Sequence, residues 1–215
     1  MAETPAPAPS SYYPVSLAVS GRPCLVVGGG VVAARKARGL LSCGARVTVI
    51  APAVGDDMQS LAPTLAALER RPYRQGDASS FQLVITATGI SEIDGAVHAD
   101  AEVRGVWVNS ADDRAHSSFI LPAVYRDGAV TVAVSTGGLS PALASWLRAR
   151  VAARGLRGAG ALAQLLGEAR TRILQAGLPS DAVDSADLLD GPLPDLVEAG
   201  DLDNARAIVA AATAT

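Results

Sequence analysis

Near the start of the chain, three consecutive glycines separate a short apolar run from a helical pattern. The apolar run is Pro23–Val27 (PCLVV), which has the length and composition of a strand buried on both faces. After the glycines, Val31–Cys43 has helical spacing and stops before a further glycine. Arg46–Ile50 (RVTVI) then predicts a second strand. Strand, tight turn, helix and strand within about thirty residues form a βαβ unit, so the chain is expected to contain a parallel sheet.

The alternation of short strands and helices continues, which predicts an α/β fold with helices on both faces of the sheet. Gln82–Ala87 and Gly105–Asn109 are further strands of the buried type, separated by a helix at Ser91–Arg104. The residues expected to face inward from this helix are Ile93, Val97 and Val103. Hydrophobic residues make up 49% of the chain and aromatic residues only 4%, so the core must be aliphatic.

The pattern changes after the last of these strands. Phe119–Tyr125 and Ala129–Ser135 flank Asp127-Gly128, a pair that favours a hairpin because glycine tolerates a positive φ. Ser140 is a natural N-cap for a helix that reaches about Val151. From residue 154 to 215, helical patches alternate with glycine and proline breaks, which predicts a small helical domain.

Charge and composition exclude several classes of protein. The net charge of −3 gives none of the basic excess typical of nucleic-acid-binding domains. The apolar run Pro23–Ala34 is too short and too rich in glycine to span a membrane. Cys24 and Cys43 lack the spacing of a disulfide scaffold or a zinc site. Residues 1–11 have neither a basic start nor an apolar run, so we expect a flexible tail on a soluble, cytoplasmic protein.

The glycine loop matches the G-x-G-x-x-G/A pattern of dinucleotide-binding domains through Gly28, Gly30 and Ala33. The first glycine permits the turn, the second lets a pyrophosphate approach the backbone, and the alanine lets helix and strand pack closely. The helix N-terminus supplies N–H groups for the phosphates. The pattern therefore predicts dinucleotide binding, the alternative being a glycine-rich turn without a ligand. The expected cofactor-binding residues are Gly28, Gly30, Val31, Val32, Ala33, Pro52, Ala53, Thr86 and Thr88.

The second strand ends without the acidic residue that usually binds the ribose hydroxyls. Asp56 and Asp57 come later and could serve there or at a helix N-terminus, and the backbone around Ala51–Ala53 is a further candidate. No arginine or lysine lies within Ile50–Gly55 to neutralise a 2′-phosphate, so we expect NAD rather than NADP.

Two polar loops follow the predicted strands. Asn109–Arg114 comes just past the last parallel strand, where open α/β sheets bind ligands, although adjacent acids also occur as solvated turn residues. Ser135–Ser140 places N–H groups and hydroxyls at a helix start, which suits a carboxylate ligand or simply a capped loop. His98 is expected to be structural or solvated, and His116 is a candidate metal ligand.

Together these stretches resemble the precorrin-2 dehydrogenase and sirohydrochlorin ferrochelatase family, which includes the dehydrogenase–chelatase module of sirohaem synthase. The resemblance covers about residues 12–150 and departs from the family pattern at Val31, at Arg114 and at Gly89-Ile90. The segments that carry it are Tyr13-Pro14-Val15 with Leu17, Cys24–Ala37, Gly44–Pro52, Asn109–Asp113, Phe119–Ala123 and Val132–Leu143.

This resemblance implies an NAD-binding Rossmann domain at residues 12–113, a dimerisation segment at 114–153 and a helical C-terminal domain at 154–215. It implies oxidation of precorrin-2 to sirohydrochlorin, in which a hydride passes to NAD+ and protons leave the macrocycle. Asp112 aligns with the family aspartate implicated in both dehydrogenation and metal insertion. The implied substrate-binding residues are Asn109, Arg114, Ser135, Thr136, Gly137 and Ser140, and candidate clamps for the eight substrate carboxylates are Arg114, Arg126 and Arg148.

Two other functions stay open at this point. A bifunctional enzyme would also insert Fe2+ or Co2+ as a sirohydrochlorin ferrochelatase, with Asp112 at the metal. A non-enzymatic, NAD-sensing Rossmann module would account for the glycine loop but would leave Asp112 and the Thr136 loop without a purpose.

We also expect a homodimer formed through about Ser118–Val151. The strand Ala129–Ser135 is apolar on both faces, and an exposed edge of this kind would otherwise invite aggregation. The family resemblance implies dimerisation through the same region.

Overall fold

The computed structural model describes residues 12–179 and 185–213 and divides the chain into two compact units. The first unit contains the residues up to Leu121 together with Gly137–Leu139, and the second contains Pro122–Thr136 and the residues from Ser140 onward. The predicted flexible tail, residues 1–11, lies outside the described residues. The domain boundaries predicted at residues 113 and 153 stay predictions.

The first unit alternates strands and helices, as the sequence predicts. Two short 3-10 helices, Ala62–Thr64 and Asp77–Ser80, lie in its connections. Its regular elements are β1 (Pro23–Val27), α1 (Val31–Leu41), β2 (Arg46–Ile50), α2 (Asp56–Leu61), β3 (Ala67–Glu69), β4 (Leu83–Thr86), α3 (Ser91–Val103) and β5 (Trp107–Ser110).

These five strands form one parallel sheet in the order β3-β2-β1-β4-β5. The chain winds outward from β1 to β3 and then returns to the other side of β1, so its direction of winding reverses between β1 and β4. Open α/β sheets bind ligands in the crevice at the carboxyl ends of such strands. Val27 pairs with Thr86, which places the glycine loop beside the segment that follows β4.

Each face of the sheet carries an aliphatic core, because alternate residues of a strand point to opposite faces. On one face, the small residues Ala33, Ala34 and Ala37 let α1 approach closely, and they pack on Cys24, Val26, Val47, Val49 and Ile85. On the other face, α3 contributes Val97 and Ala101 to a core with Leu25, Val27, Val84 and Val108. Full burial of one such valine or leucine stabilises the fold by about 1.5–3 kcal/mol.

The second unit starts with an antiparallel hairpin of β6 (Ala123–Asp127) and β7 (Val130–Val134). Its turn contains Gly128 with a φ of 53°, as the Asp-Gly pair predicts. The helices that follow are α4 (Pro141–Ala152), α5 (Ala159–Gln175), α6 (Ser185–Asp190), α7 (Leu193–Glu198) and α8 (Leu202–Ala212). The predicted cap of α4 is confirmed, since the Ser140 hydroxyl accepts the N–H of Leu143 at 3.2 Å.

The hairpin turn packs against the start of α5. The N–H of Gly160 donates to the Asp127 carboxylate at 3.2 Å, which places a negative charge at a helix N-terminus. A Cβ at Gly160 would lie 2.6 Å from the carbonyl oxygen of Asp127, so only glycine permits this approach. A core from α5, α7 and α8 completes the unit through Leu165, Leu193, Val197, Ala205 and Val209. Within the described ranges, no helix combines the length and the apolarity needed to cross a membrane.

Several sequence expectations were wrong in detail. The first helix ends at Leu41 instead of Cys43, and the first hairpin strand begins at Ala123 instead of Phe119. Val103 does not face inward: it is the last residue of α3 and is 84% exposed. Ile93 and Val97 do pack in the core. The three-residue strand β3 was not predicted, because so short a segment shows no periodicity.

Replacement by alanine should change the free energy of unfolding in opposite directions at two glycines of the first unit. A Cβ at Gly29 would lie 2.0 Å from the carbonyl oxygen of Ala53, whereas no described atom lies within 4 Å of a Cβ at Gly39, inside α1. We expect Gly29→Ala to lower the free energy of unfolding by about 1–3 kcal/mol, because backbone must move. Gly39→Ala should raise it by about 0.5–1 kcal/mol, because alanine favours the helix. Urea unfolding of both variants checks this, and equal effects would contradict the packing.

Candidate functional site

The glycine loop has the geometry that its motif requires. Gly28 has a φ of 127°, and a Cβ there would lie 2.4 Å from the carbonyl oxygen of Ala87. Its N–H donates to the carbonyl of Ile50 at 3.0 Å, which closes the turn over β2. Around a Cβ at Gly30, by contrast, no described atom lies within 4 Å. The first glycine is therefore needed for packing within the protein, and Gly30 faces open space.

Gly29 packs closely within the glycine loop, although the motif does not mark it. The tight approach of Ala53 to Gly29 brings the β2–α2 loop against the glycine loop, and the N–H of Gly55 donates to the Gly29 carbonyl at 3.0 Å. Pro52 and Ala53 are exposed at this contact. The signal for Gly29 was the run of three glycines, of which the motif uses only two.

The N-terminus of α1 is suited to an anion. Gly30 is the N-cap, and the first turn carries no acidic residue. The first N–H groups of an α-helix have no partner inside the helix, so they are free to bind phosphate oxygens together with the helix dipole. Val31 and Val32 are exposed there, while Ala33 is fully buried against the sheet. The open space at Gly30 and this helix start fit the pyrophosphate of a dinucleotide.

Thr86 ends β4 and Thr88 follows it, both beside the glycine loop, but their hydroxyls form hydrogen bonds within the protein. Thr86 is fully buried, and both threonine hydroxyls donate to the carboxylate of Asp94 on α3. The side chain of Thr86 therefore acts on a cofactor only indirectly. Asp94 was not found from the sequence, where it is simply one of the acids in the first turn of a helix.

Asn109 and Ser110 end β5 at the ligand edge of the sheet. The amide of Asn109 is buried and donates to the carbonyl of Phe119 at 2.9 Å. The N–H of Ser110 donates to the hydroxyl of Ser117 at 2.9 Å. These bonds tie the two ends of the loop at 111–116 together and hold the loop at the sheet edge.

Asp113 stabilises this loop through contacts with residues of the same loop and with Ser117. Its carboxylate accepts the N–H of Ala115 at 2.8 Å and lies 2.8 Å from Nδ1 of His116. Its carbonyl accepts the hydroxyl of Ser117 at 2.9 Å. Burial opposes the charge of Asp113, but the contacts with Ala115 and His116 outweigh it and lower the pKa of the carboxyl. Asp113 is therefore committed to the structure of the loop.

Asp112 is exposed, and its carboxylate forms no hydrogen bond or ion pair with any described residue. Its electrostatic neighbour is Lys36 on α1, the only lysine in the chain. Burial lowers the pKa of Lys36, Arg35 lowers it further, and the Asp112 carboxylate acts in the opposite direction. The two adjacent aspartates therefore differ: Asp113 holds the loop, and Asp112 is available to a ligand.

The two histidines of the chain pack against each other beside this loop. The ring centroids of His98 on α3 and His116 are 5.3 Å apart. Among the described residues, no group of three or more His, Cys, Asp or Glu side chains is placed to hold a metal ion. His98 has the structural position expected of it, and a metal-binding role for His116 stays a prediction.

The remaining predicted residues lie at the turn before α4. In the first unit, a Cβ at Gly138 would lie 2.7 Å from Nε of Arg114, so the arginine packs directly on this glycine. In the second unit, the Thr136 hydroxyl accepts the N–H of Ser140 at 3.0 Å and lies 3.1 Å from its carbonyl oxygen. Ser135 precedes this turn, and Gly137 has a φ of 62° within it.

Fold and site together define a class of protein. An open parallel sheet with a glycine loop at its winding reversal and an open helix start is a dinucleotide-binding Rossmann domain. An uncommitted carboxylate, Asp112, follows another strand at the same edge of the sheet.

Comparisons with known proteins agree with this class. Residues 15–123 match the family described as "Putative NAD(P)-binding", and residues 127–154 match the one described as "Sirohaem biosynthesis protein central". The siroheme synthase of Chromobacterium violaceum is 39% identical over 203 residues, which are 91% of this chain and 42% of that protein. The siroheme synthase of Nitrosococcus oceani is 36% identical over 204 residues, which are 94% of this chain and 44% of that protein.

The solved structure of SirC, a precorrin-2 dehydrogenase, matches with a TM-score of 0.69 at 25% identity, covering 87% of this chain and 92% of SirC. The chain thus belongs to the family of precorrin-2 dehydrogenases and of the dehydrogenase–chelatase module of sirohaem synthase. It spans less than half the length of the two siroheme synthases compared above. The family resemblance and the α/β fold with its helical C-terminal part are confirmed.

The histidine pair predicts how stability depends on pH. Burial lowers the pKa of His98, a shift that Glu102 and Asp113 oppose and His116 reinforces. The unfolded chain, with an ordinary histidine pKa of about 6.5, then binds the proton more readily than the folded chain does. The free energy of unfolding should therefore fall as the pH drops below about 6.5.

Urea unfolding between pH 7.5 and 5.5 measures this effect. Asp113 does not interfere, because a carboxyl with a lowered pKa loses its stabilising effect only below about pH 4. In His98→Gln, which has no group to protonate, the fall over this range should be smaller. The same pH profile in wild type and variant would contradict the assignment to His98.

Proposed function

We propose that the protein oxidises precorrin-2 to sirohydrochlorin, with NAD+ as the hydride acceptor, in sirohaem synthesis. The observation that carries this proposal is the uncommitted carboxylate of Asp112 at the ligand edge of a Rossmann unit. The match to SirC supports the proposal, because SirC is a precorrin-2 dehydrogenase and the match covers 92% of its length.

The cofactor fits the first unit. Its pyrophosphate would bind at Gly30 and at the N–H groups that start α1, and the backbone at Ala51–Ala53 would contact its adenosine ribose. The nicotinamide accepts a hydride when the cofactor is bound, and the protein supplies orientation and proton transfer.

The β2–α2 loop favours NAD+ over NADP+. The loop at Ile50–Gly55 has no basic residue, and Asp56 and Asp57 form the first turn of α2 directly after it. These carboxylates would repel a 2′-phosphate, so NAD+ should bind at least about tenfold more tightly. Calorimetric titration with both cofactors tests this, and equal or tighter NADP+ binding would contradict it.

Gly30→Val tests the position of the cofactor in the same titrations. The side chain enters open space, so the variant should fold normally, but it should obstruct the pyrophosphate and weaken both cofactors. Unchanged affinity would show that the loop is not the cofactor cradle.

Asp112 is the proposed proton acceptor. Oxidation of the macrocycle removes one hydride and one proton, and an exposed, unpaired carboxylate at the ligand edge could take this proton or orient the ring. The electrostatic neighbour of this carboxylate is Lys36 on α1. The arginines Arg114, Arg126 and Arg148 are candidates to bind the substrate carboxylates, which pair well with guanidinium groups.

Asp112→Asn preserves size and removes the base. We expect turnover to fall by about two to four orders of magnitude, with NAD+ affinity nearly unchanged, because Asp112 lies outside the glycine loop. Steady-state kinetics and NAD+ titration measure the two effects.

Asp113→Asn is the matched control. An asparagine oxygen can still accept the N–H of Ala115, so the loop should persist and most activity should remain. A nearly normal Asp112→Asn, or a greater loss in Asp113→Asn, would contradict the assignment.

Metal insertion by the same site is the second candidate, favoured by the same free carboxylate of Asp112. Spectra recorded after addition of Fe2+ or Co2+ to newly formed sirohydrochlorin would reveal it. An Asp112→Asn variant that loses only insertion would show that another group, or water, takes the proton. A non-enzymatic NAD-sensing module would show no turnover in either assay.

A homodimer through Ser118–Val151 completes the proposal. Among the described residues, β6 and β7 pair only with each other, so the outer edge of each strand has no strand partner. The adjacent helix α4 leaves Leu143, Trp146 and Val151 exposed. A second copy covering this surface would bury both the strand edge and these side chains.

Sedimentation at micromolar concentration should show a dimer that Trp146→Glu converts to a monomer. Leu174→Glu on α5 is the control, because Leu174 is exposed to a similar extent, 52% against 54%, but lies outside the proposed interface. A stable wild-type monomer would contradict the proposal, as would equal effects of the two substitutions.

We place the enzyme in the cytoplasm. Two cysteines without the spacing of a disulfide scaffold suit a reducing compartment.

A further inference from the structure

A buried aspartate on α3 forms hydrogen bonds with the last residue of β4 and with a residue just beyond it. Asp94 is 4% exposed, and its Oδ1 atom accepts the hydroxyl of Thr86 and, at 2.7 Å, the hydroxyl of Thr88. The N–H of Thr88 lies 3.4 Å from the same oxygen. One carboxylate oxygen thus bonds both ends of the three-residue segment Thr86–Thr88.

Burial of a carboxylate is costly unless its hydrogen bonds are satisfied. Asp94 lies in the first turn of α3, where the helix dipole favours a negative charge. Hydrogen bonds to a charged acceptor are also roughly twice as strong as neutral ones. The arrangement therefore holds Thr86–Thr88 more firmly than a loop without a charged anchor.

The segment Thr86–Thr88 packs against the glycine loop. Between the two threonines lies Ala87, whose N–H donates to the Val27 carbonyl at 2.8 Å. The carbonyl oxygen of Ala87 lies only 2.4 Å from the position that a Cβ at Gly28 would take. A shift of this segment by a few tenths of an ångström would therefore move Gly28 or open a gap beside it.

We propose that Asp94 is a positioning residue of the cofactor site, which holds Thr86–Thr88 so that Ala87 packs against Gly28 and fixes the glycine loop. The inference rests on the proposed binding of NAD+ at that loop. Asp94 itself does not touch the cofactor; its effect passes through Thr88 and Ala87.

Titration of NAD+ into the full chain without macrocycle, followed by calorimetry, tests the inference directly. Asp94→Ala should weaken NAD+ by at least about tenfold, because loss of two or more hydrogen bonds to a charged group exceeds the 1.4 kcal/mol that corresponds to that factor. Asp94→Asn should restore affinity to within about threefold, because its side-chain oxygen still accepts both hydroxyls.

Asp100→Ala is the matched control on the same helix. Asp100 is also buried, and it accepts the hydroxyl of Tyr73, the N–H of Gly76 and the guanidinium of Arg104, away from the glycine loop. Its loss should lower the urea midpoint and leave the affinity for NAD+ unchanged. Equal losses of affinity in Asp94→Ala and Asp100→Ala would overturn the inference, since they would reflect general loosening of α3.

Thr88→Val provides a second route if Asp94→Ala does not fold. It removes the hydroxyl from a half-buried side chain without changing its shape, and it should weaken NAD+ in the same direction. Unchanged affinity in both foldable variants would overturn the inference while NAD+ still binds the wild type. Absence of NAD+ binding in the wild type would instead overturn the proposed cofactor and this inference together.

Discussion

The contact between Gly28 and the carbonyl of Ala87 is the constraint on which the ligand edge depends. It forms because β1 and β4 are parallel neighbours in register, so that the glycine loop and the Thr86–Thr88 segment leave the sheet side by side. Any side chain at Gly28 would force these two segments apart. The start of α1 follows this contact directly, because its N-cap is Gly30.

The carboxylates near this edge serve different purposes because their environments differ. Asp94 is buried and satisfied by two threonines, and Asp113 is held by the N–H of Ala115 and by His116. Asp112 alone among these three forms no hydrogen bond with a described residue. A group that is already satisfied stabilises structure, whereas an unsatisfied one at a ligand edge can take part in chemistry. The division of roles follows from hydrogen bonding and not from residue type.

Much of the first unit could be predicted from the sequence because its signals are local. The apolar runs predicted the observed bounds of β1 and β2, and the motif predicted the positions of Gly28 and Gly30. Contacts between distant segments could not be predicted. The close approach of Ala53 requires a glycine at position 29. Asp94 accepts hydrogen bonds from two threonines. In neither case does local periodicity reveal the partner. Val103 was predicted to face inward because the helical spacing continues to the end of α3. It is exposed because the sheet does not extend beneath that end of the helix.

The proposed function requires that NAD+ is the oxidant. Anaerobic incubation of the protein with precorrin-2, with and without NAD+, measures this through the spectra of the macrocycle and of NADH. Sirohydrochlorin should form only when NAD+ is present, with NADH appearing in equal amount. Conversion that does not depend on NAD+, or NAD+ binding without conversion, would contradict it.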